Sequence, residues 1–468
     1  MRWFFVSLSS KYVAYKGFLS VNPYYLLLMS YFLPIFVTKI NLKYKSIKMK
    51  RILCVVSLLV LYFNVSFAQQ KPMLKLKGEV IGAETKSILL AKPTQSLLEG
   101  PVIEIPVKNG KFYYESHLEF PEAVELSFSE IREKGSGSFM ELFLENEEIQ
   151  VTLYNEEEFN KNIVKGGKWN AEYKKYTDNL NRKFAHLFQP ITDSLEILYE
   201  NDLDDSQEAK ELYKQLDEKT GVEKKLIYEK LEALREADKH LSPEAKKLND
   251  RLKPLIEQAK AYRQNYIEEN PNLVAYSFLL KDLMYKREEM DITYSKRVAE
   301  KLAKANPKHP YNKLVAELVS SLENIQVGQK FVDFTAPDLD GKQVQLSKVI
   351  EGKITLLDFW ATWCGSCIAS TRMMIPIYEA YKDKGFTMVG IAGEFKNTDR
   401  LTQFLEKEKW DWLQLVELDR QNKIWQKYGI QNRGGGVFLI DEKGIIIAID
   451  PTAEEVKKEL EKRLGKSN

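Results

Sequence analysis

Residues 354–359 form a short apolar run that passes through Trp360, Ala361 and Thr362 into Trp363-Cys-Gly-Ser-Cys367, and a helical pattern follows to about residue 381. Two cysteines three residues apart at a strand-to-helix junction restrict the fold sharply, because the elements on either side are short and typed. The chain holds only three cysteines, and the third, Cys54, lies in an N-terminal segment with the pattern of a removable signal. What remains is Cys364 and Cys367. A bridge over so small a loop constrains the unfolded chain little, and an exported chain that needed staples would spread several cysteines across its loops. The pair is therefore read as chemical. A zinc site needs two further soft ligands. The histidines His117, His186, His240 and His309 are scattered and none follows residue 309, so no metal and no other cofactor is expected.

The order of elements around the pair is equally informative. After the helix come a strand at 387–392, a helix near 400–407 and another near 422–428. Strands at 437–440 and 445–449 are joined across Asp441-Glu-Lys-Gly444, and Thr452-x-x-Glu455 is a capping box opening a last helix. This gives β-α-β-α-β-β-α.

Two other regions precede it. Residues 71–156 read as short strands: Leu74-Lys-Leu-Lys-Gly78 alternates, 102–105, 112–114 and 149–153 are strand-like, and Asn109-Gly110 is a hairpin turn signal. Strands at this spacing suggest a small antiparallel sandwich whose default role is binding or packing. Residues 167–325 change to long charged helices, with apolar stripes at Ile227, Leu231 and Leu234 and at Leu314, Leu318, Leu322 and Ile325. Ser242-Pro243 marks a helix start, and Asn270-Pro271 and Asn306-Pro307 mark breaks.

The N-terminus is an address. From Met49, Lys50 and Arg51 give a positive start, 52–65 is almost wholly apolar, and Ser66-Phe67-Ala68 puts small residues where a signal peptidase reads. A secretory signal over 49–68 with cleavage after Ala68 is expected, leaving no stable membrane insertion; an uncleaved inner-membrane anchor is the alternative. Residues 1–48 hold an apolar run at 24–37, broken by Pro34 and short for a bilayer span, and are read as lying upstream of the true translational start. Residues 1–70 carry nine basic and no acidic residues, which leaves 60 basic against 67 acidic residues in the body. A body of that sign has no reason to seek phosphate backbones, and nucleic-acid binding is excluded as a partner class.

With these residues in place, the segment 326–468 resembles the thioredoxin fold, and more narrowly the exported TlpA-like thiol-disulfide oxidoreductases. The resemblance is carried by Leu357-Asp-Phe-Trp-Ala-Thr-Trp-Cys-Gly-Ser-Cys367 and, upstream, by Phe334-Thr-Ala-Pro-Asp-Leu-Asp-Gly341 and Val344-Gln-Leu346. Downstream, Phe438-Leu-Ile-Asp441 and Gly444 complete it. The implied fold class is α/β: a C-terminal thioredoxin fold, preceded by a small antiparallel β-sandwich-like domain (71–156) and a helical region (167–325). The implied activity is reduction of protein disulfides in the periplasm, with electrons supplied by a membrane thiol-disulfide donor.

The resemblance also assigns roles. Cys364, at the start of a helix where free amides and the dipole favour a thiolate, is the expected nucleophile, and Cys367, one turn on and facing inward, the resolving thiol. Asp358 matches the buried acid of thioredoxins and is expected to accept the Cys367 proton. Trp363, Gly365 and Ser366 belong to the docking surface. The family places a cis-proline before its third strand; here the stretch is Asn432-Arg-Gly-Gly-Gly-Val437, with Gly435 at the proline position. A trans loop is expected, since a cis bond before glycine costs about 3 kcal/mol. Substrate docking is assigned to Gly435 and Gly436. Two other readings compete. A thiol peroxidase would need a Thr-x-x-Cys context, whereas Thr362 is two residues before Cys364. A binding or scaffold protein would leave the thioredoxin module vestigial, which an intact cysteine pair disfavours.

Overall fold

Leu74 and Leu76 are fully buried while Lys75 and Lys77 face out, and this alternation makes the first strand, β1 (Leu74–Ile81), one face of a sandwich. A computed structural model describes residues 72–218, 227–430 apart from 229, 232 and 236, and 434–466. The signal segment 49–68, Cys54 and residues 1–48 lie outside the described residues, as do Asn432 and Arg433. The strands that follow are β2 (Ser87–Ala91), β3 (Ile103–Pro106), β4 (Lys111–Ser116), β5 (Glu122–Phe128), β6 (Met140–Leu144), β7 (Glu148–Tyr154) and β8 (Ile163–Lys165). They form two four-stranded sheets, in the orders β4-β1-β7-β8 and β3-β2-β5-β6. Leu74, Ile88, Leu126, Leu142 and Val151 fill the space between them.

Two details correct the sequence reading. The pair β1–β7 is parallel, so the sandwich is mixed rather than wholly antiparallel. Asn109-Gly110 does form a tight turn, both residues having positive φ, but it closes only the Lys108–Lys111 bridge. β3 and β4 then part into different sheets, so the turn is where the chain changes layer.

The helices that follow include α1 (Lys168–Glu200), α2 (Gln207–Glu218), α3 (Pro243–Glu269), α4 (Leu273–Tyr285), α5 (Ile292–Ala305) and α6 (Tyr311–Asn324), of which α1, α4 and α6 cover the outer face of the second sheet. α4 is buried almost all round, which fits its high apolar content. Ser242 caps α3 by accepting from the Ala245 amide, and Asn270 and Asn306 end α3 and α5, as expected. Asn170 on α1 finishes the outer edge of β6: its side-chain oxygen accepts from the Phe143 amide at 2.9 Å and its nitrogen donates to the Phe143 carbonyl at 2.8 Å. Lys281 on α4 reaches Glu125 (3.1 Å) and Glu141 on the sheet. Among the described residues no helix is long and apolar enough to cross a membrane.

The last region begins with a hairpin of β9 (Thr335–Pro337) and β10 (Gln343–Gln345). A five-stranded sheet follows, in the order β13-β12-β11-β14-β15. Its strands are β11 (Ile354–Trp360), β12 (Phe386–Ala392), β13 (Leu413–Val416), β14 (Gly436–Ile440) and β15 (Ile446–Ile449). β11, β12 and β13 are parallel, and β14 and β15 antiparallel. β11 is buried at all seven positions, as a central strand covered on both faces must be. The α-helices after β11 are α7 (Gly365–Tyr381), α8 (Asp399–Glu408), α9 (Ile424–Lys427) and α10 (Ala453–Leu464), the last opened by the Thr452/Glu455 capping box. β13 adds a strand to the order read from the sequence. The fold is thus mixed α/β, with N-terminal sheets, a central helical region and a C-terminal thioredoxin-like sheet.

Arg287 ties the helical layer to this sheet. The residue is 8% exposed, and its guanidinium donates to the carbonyls of Ser321 (2.9 Å), Ile325 (2.9 Å) and Tyr428 (3.0 Å).

Candidate active site

Cys364 is the N-cap residue of α7, so the free amides of the first helical turn point at its sulfur. The Cys367 amide donates to Cys364 Sγ at 3.3 Å, and the exposed Ser366 hydroxyl lies 3.5 Å from the same atom. Cys364 and Cys367 are joined as a disulfide. Cys364 is only 6% exposed and Cys367 is partly buried, so the residue expected to face inward is the less covered of the two. The cover is the glycine loop. The Gly434 carbonyl oxygen lies 3.1 Å from Cys367 Sγ, and a Cβ on Gly434 would fall 3.1 Å from Cys364 Sγ. The described residues contain no cis peptide bond, as expected for a loop lacking the proline. Gly436 opens β14 and pairs with Phe359, which places it at the same edge.

Asp358 sits in the middle of β11, 2% exposed, between Gly390 of β12 and Val437 of β14. Burial pushes its carboxyl from 3.8 up to about 7, opposed by a hydrogen bond with the Thr371 hydroxyl. The approach to Cys364 is held from the other side. The Thr362 amide and hydroxyl both donate to the buried Glu394 carboxylate (2.7 and 3.0 Å), and the Trp363 indole donates to the Gly393 carbonyl (3.1 Å). Trp363 stacks on Phe395, and Arg420 lies over Trp425 at 3.9 Å. The structure thus gathers Cys364, Cys367, Trp363, Gly365, Ser366, Gly435 and Gly436 at one end of β11, with Asp358 inside the sheet beneath α7. Among the described residues no group of three or more His, Cys, Asp or Glu side chains is placed to hold a metal ion.

Sequence reasoning missed Thr371 and Glu394. Thr371 had a signal, being four residues beyond Cys367 and so on the same helix face. Glu394 had none, because only the parallel pairing of β11 with β12 brings it to Thr362.

Residues 327–449 match a model of the AhpC/TSA family. Over 147 residues the chain is 31% identical to the thiol-disulfide oxidoreductase ResA of Bacillus cereus, spanning 31% of this chain and 82% of the relative. The chain belongs to the family of ResA-like thiol-disulfide oxidoreductases. The oxidoreductase domain is also 30% identical over 141 residues to the thioredoxin-like protein YneN of Bacillus subtilis, covering 79% of that protein. A solved thioredoxin domain of a Bacteroides vulgatus thiol-disulfide oxidoreductase is 28% identical, with a TM-score of 0.27, covering 30% of this chain and 98% of that one. The relatives of this oxidoreductase domain are distant, and the match leaves the sandwich and helical regions uncharacterised.

Proposed function

We propose that the Cys364/Cys367 pair reduces protein disulfides in the periplasm. The observation that carries this reading is Cys364 at the N-cap of α7 with the Cys367 amide on its sulfur, beside a buried acid on the adjoining strand. In the dithiol form, amides and helix dipole favour a Cys364 thiolate at neutral pH. That thiolate attacks one sulfur of a partner disulfide, the partner's S–S bond breaks, and its other sulfur leaves as a thiolate. Cys367 gives its proton to Asp358 and attacks Cys364 Sγ, which releases the second partner sulfur. Two electrons pass to the partner and the pair returns as the disulfide, to be reduced again by a membrane thiol donor. Trp363, Gly365 and Ser366 on one side and Gly435 and Gly436 on the other form the surface that receives the partner chain.

Export rests on the signal pattern at 49–68. The decisive measurement is the reduction potential of the pair in the mature protein. A value near about −270 mV supports a reductase, and one near about −120 mV an oxidant. Turnover of peroxide in place of disulfide exchange would mean a peroxidase. Periplasmic fractionation and an N-terminus at Gln69 test the export.

A further inference from the structure

Thr371 lies one helical turn beyond Cys367 on α7 and is 2% exposed. Its Oγ1 is 2.6 Å from Asp358 Oδ2 and 2.9 Å from the Cys367 carbonyl oxygen. A hydroxyl has one hydrogen and so donates to one of these at a time. An ionised carboxylate only accepts, whereas a protonated one carries a hydrogen to give. Two complete arrangements therefore exist. With Asp358 ionised, Thr371 donates to the carboxylate. With Asp358 protonated, the acid donates to Thr371 Oγ1, and the Thr371 hydrogen turns to the Cys367 carbonyl. Both side chains are sealed from solvent, so this hydroxyl supplies a partner in either state.

We infer that Thr371 is a positioning residue whose hydroxyl rotates between these two arrangements, letting Asp358 take up and release the Cys367 proton with neither state left unpaired. The inference rests on the reading of Asp358 as proton acceptor. During resolution the Cys367 S–H bond breaks and its proton goes to Asp358. The thiolate then forms the bond to Cys364 Sγ, and the partner sulfur leaves with the electron pair of the broken mixed disulfide. The surroundings of Asp358 are consistent with this. Across the sheet it meets Gly390 and Val437, neither of which titrates. Burial and the Thr371 hydroxyl are the influences on its carboxyl; α7 and its N-cap also carry the two cysteine thiols and, next to Thr371, Arg372, whose exposed guanidinium is paired with Glu408 (2.7 Å).

The test uses the reduced mature protein and the aromatic disulfide 5,5′-dithiobis(2-nitrobenzoate). Attack by Cys364 releases one coloured thiolate, and resolution by Cys367 releases the second, so stopped-flow separates the two steps. In the wild type the second phase follows one ionisation. Thr371→Val is expected to raise its midpoint by about one pH unit and slow the second phase about tenfold below it, because the bond that favours the carboxylate is gone. The first phase stays unchanged. Thr371→Ala, which adds no bulk, shows the same shift, and Thr371→Ser restores the wild-type midpoint. An unmoved midpoint in both hydroxyl-free variants, with Asp358→Asn abolishing the ionisation, overturns the role of Thr371 and leaves Asp358 as the acceptor. A wild-type profile in Asp358→Asn overturns the acceptor and this inference together.

Discussion

Gly435 lies so close to Phe359 that a Cβ on it would fall 2.2 Å from the Phe359 carbonyl oxygen, and 2.6 Å from the Cys367 sulfur. No side chain fits there with the loop in place, proline's included. Gly435→Ala is expected to lift the loop and destabilise the disulfide form by about 1–3 kcal/mol, the usual cost of overpacking. In the dithiol form the lifted loop exposes Cys364, so alkylation by iodoacetamide becomes faster. Unchanged melting and unchanged alkylation would show that the loop does not pack on the pair.

Asp358 makes stability depend on pH in a defined direction. Its folded value is raised, from 3.8 to about 7, so the protein favours the protonated acid. The associated stability is fully present below the unfolded value and is lost as pH rises through the window up to about 7. Asp358→Asn removes the dependence. It should match the wild type near pH 4 and exceed it near pH 8 by an amount of order 4 kcal/mol at most. Urea unfolding of the disulfide form at both pH values checks this, and an equal gap at the two would contradict it.

Lys281 stands between Glu125 and Glu141 where helix α4 meets the sandwich. Burial pushes the Glu125 carboxyl up, and the two carboxylates hold the Lys281 ammonium charged. Lys281→Met leaves two covered carboxylates facing each other, a loss of about 3–5 kcal/mol at neutral pH. The deficit should shrink in acid, as Glu125, whose carboxyl burial already pushes up, takes up a proton. Replacing all three residues with apolar ones should recover much of the loss, and thermal melts across pH separate the cases.

Glu394 fixes the turn just before Cys364 through two bonds from Thr362. Glu394→Ala frees that turn and blurs the placement of the sulfur. The attack phase with the aromatic disulfide is expected to slow about tenfold, while the resolution phase keeps its rate. Equal slowing of both phases would point to general loosening instead.

Most of the cysteine-bearing region was legible because its signals are local. A buried strand, a C-x-x-C, a capping box at Thr452 and a hairpin at Asp441–Gly444 need no distant partner to be recognised. β13 was not legible. It is four residues long, and it carries Gln414 into the core, where the side chain accepts from the Trp360 indole at 3.0 Å. A polar residue whose side-chain oxygen meets its partner only through tertiary structure breaks the apolar pattern that would have marked the strand. The parallel partner of β1 was hidden for a similar reason, since β7 is about seventy residues away and nothing local encodes that pairing. At the site, Asp358 was legible by its place in an apolar run. The burial of Cys364 was not, because it depends on how closely the glycine loop settles.

The Arg287 joint differs in kind from the Lys281 cluster. It joins a guanidinium to three backbone carbonyls, two at the end of α6 and one just after α9, so the contact runs from side chain to main chain. The bearing of the dithiol is thus set in part by the helices behind it, and under the function proposed above a partner chain would have to reach Cys364 at the angle those helices allow.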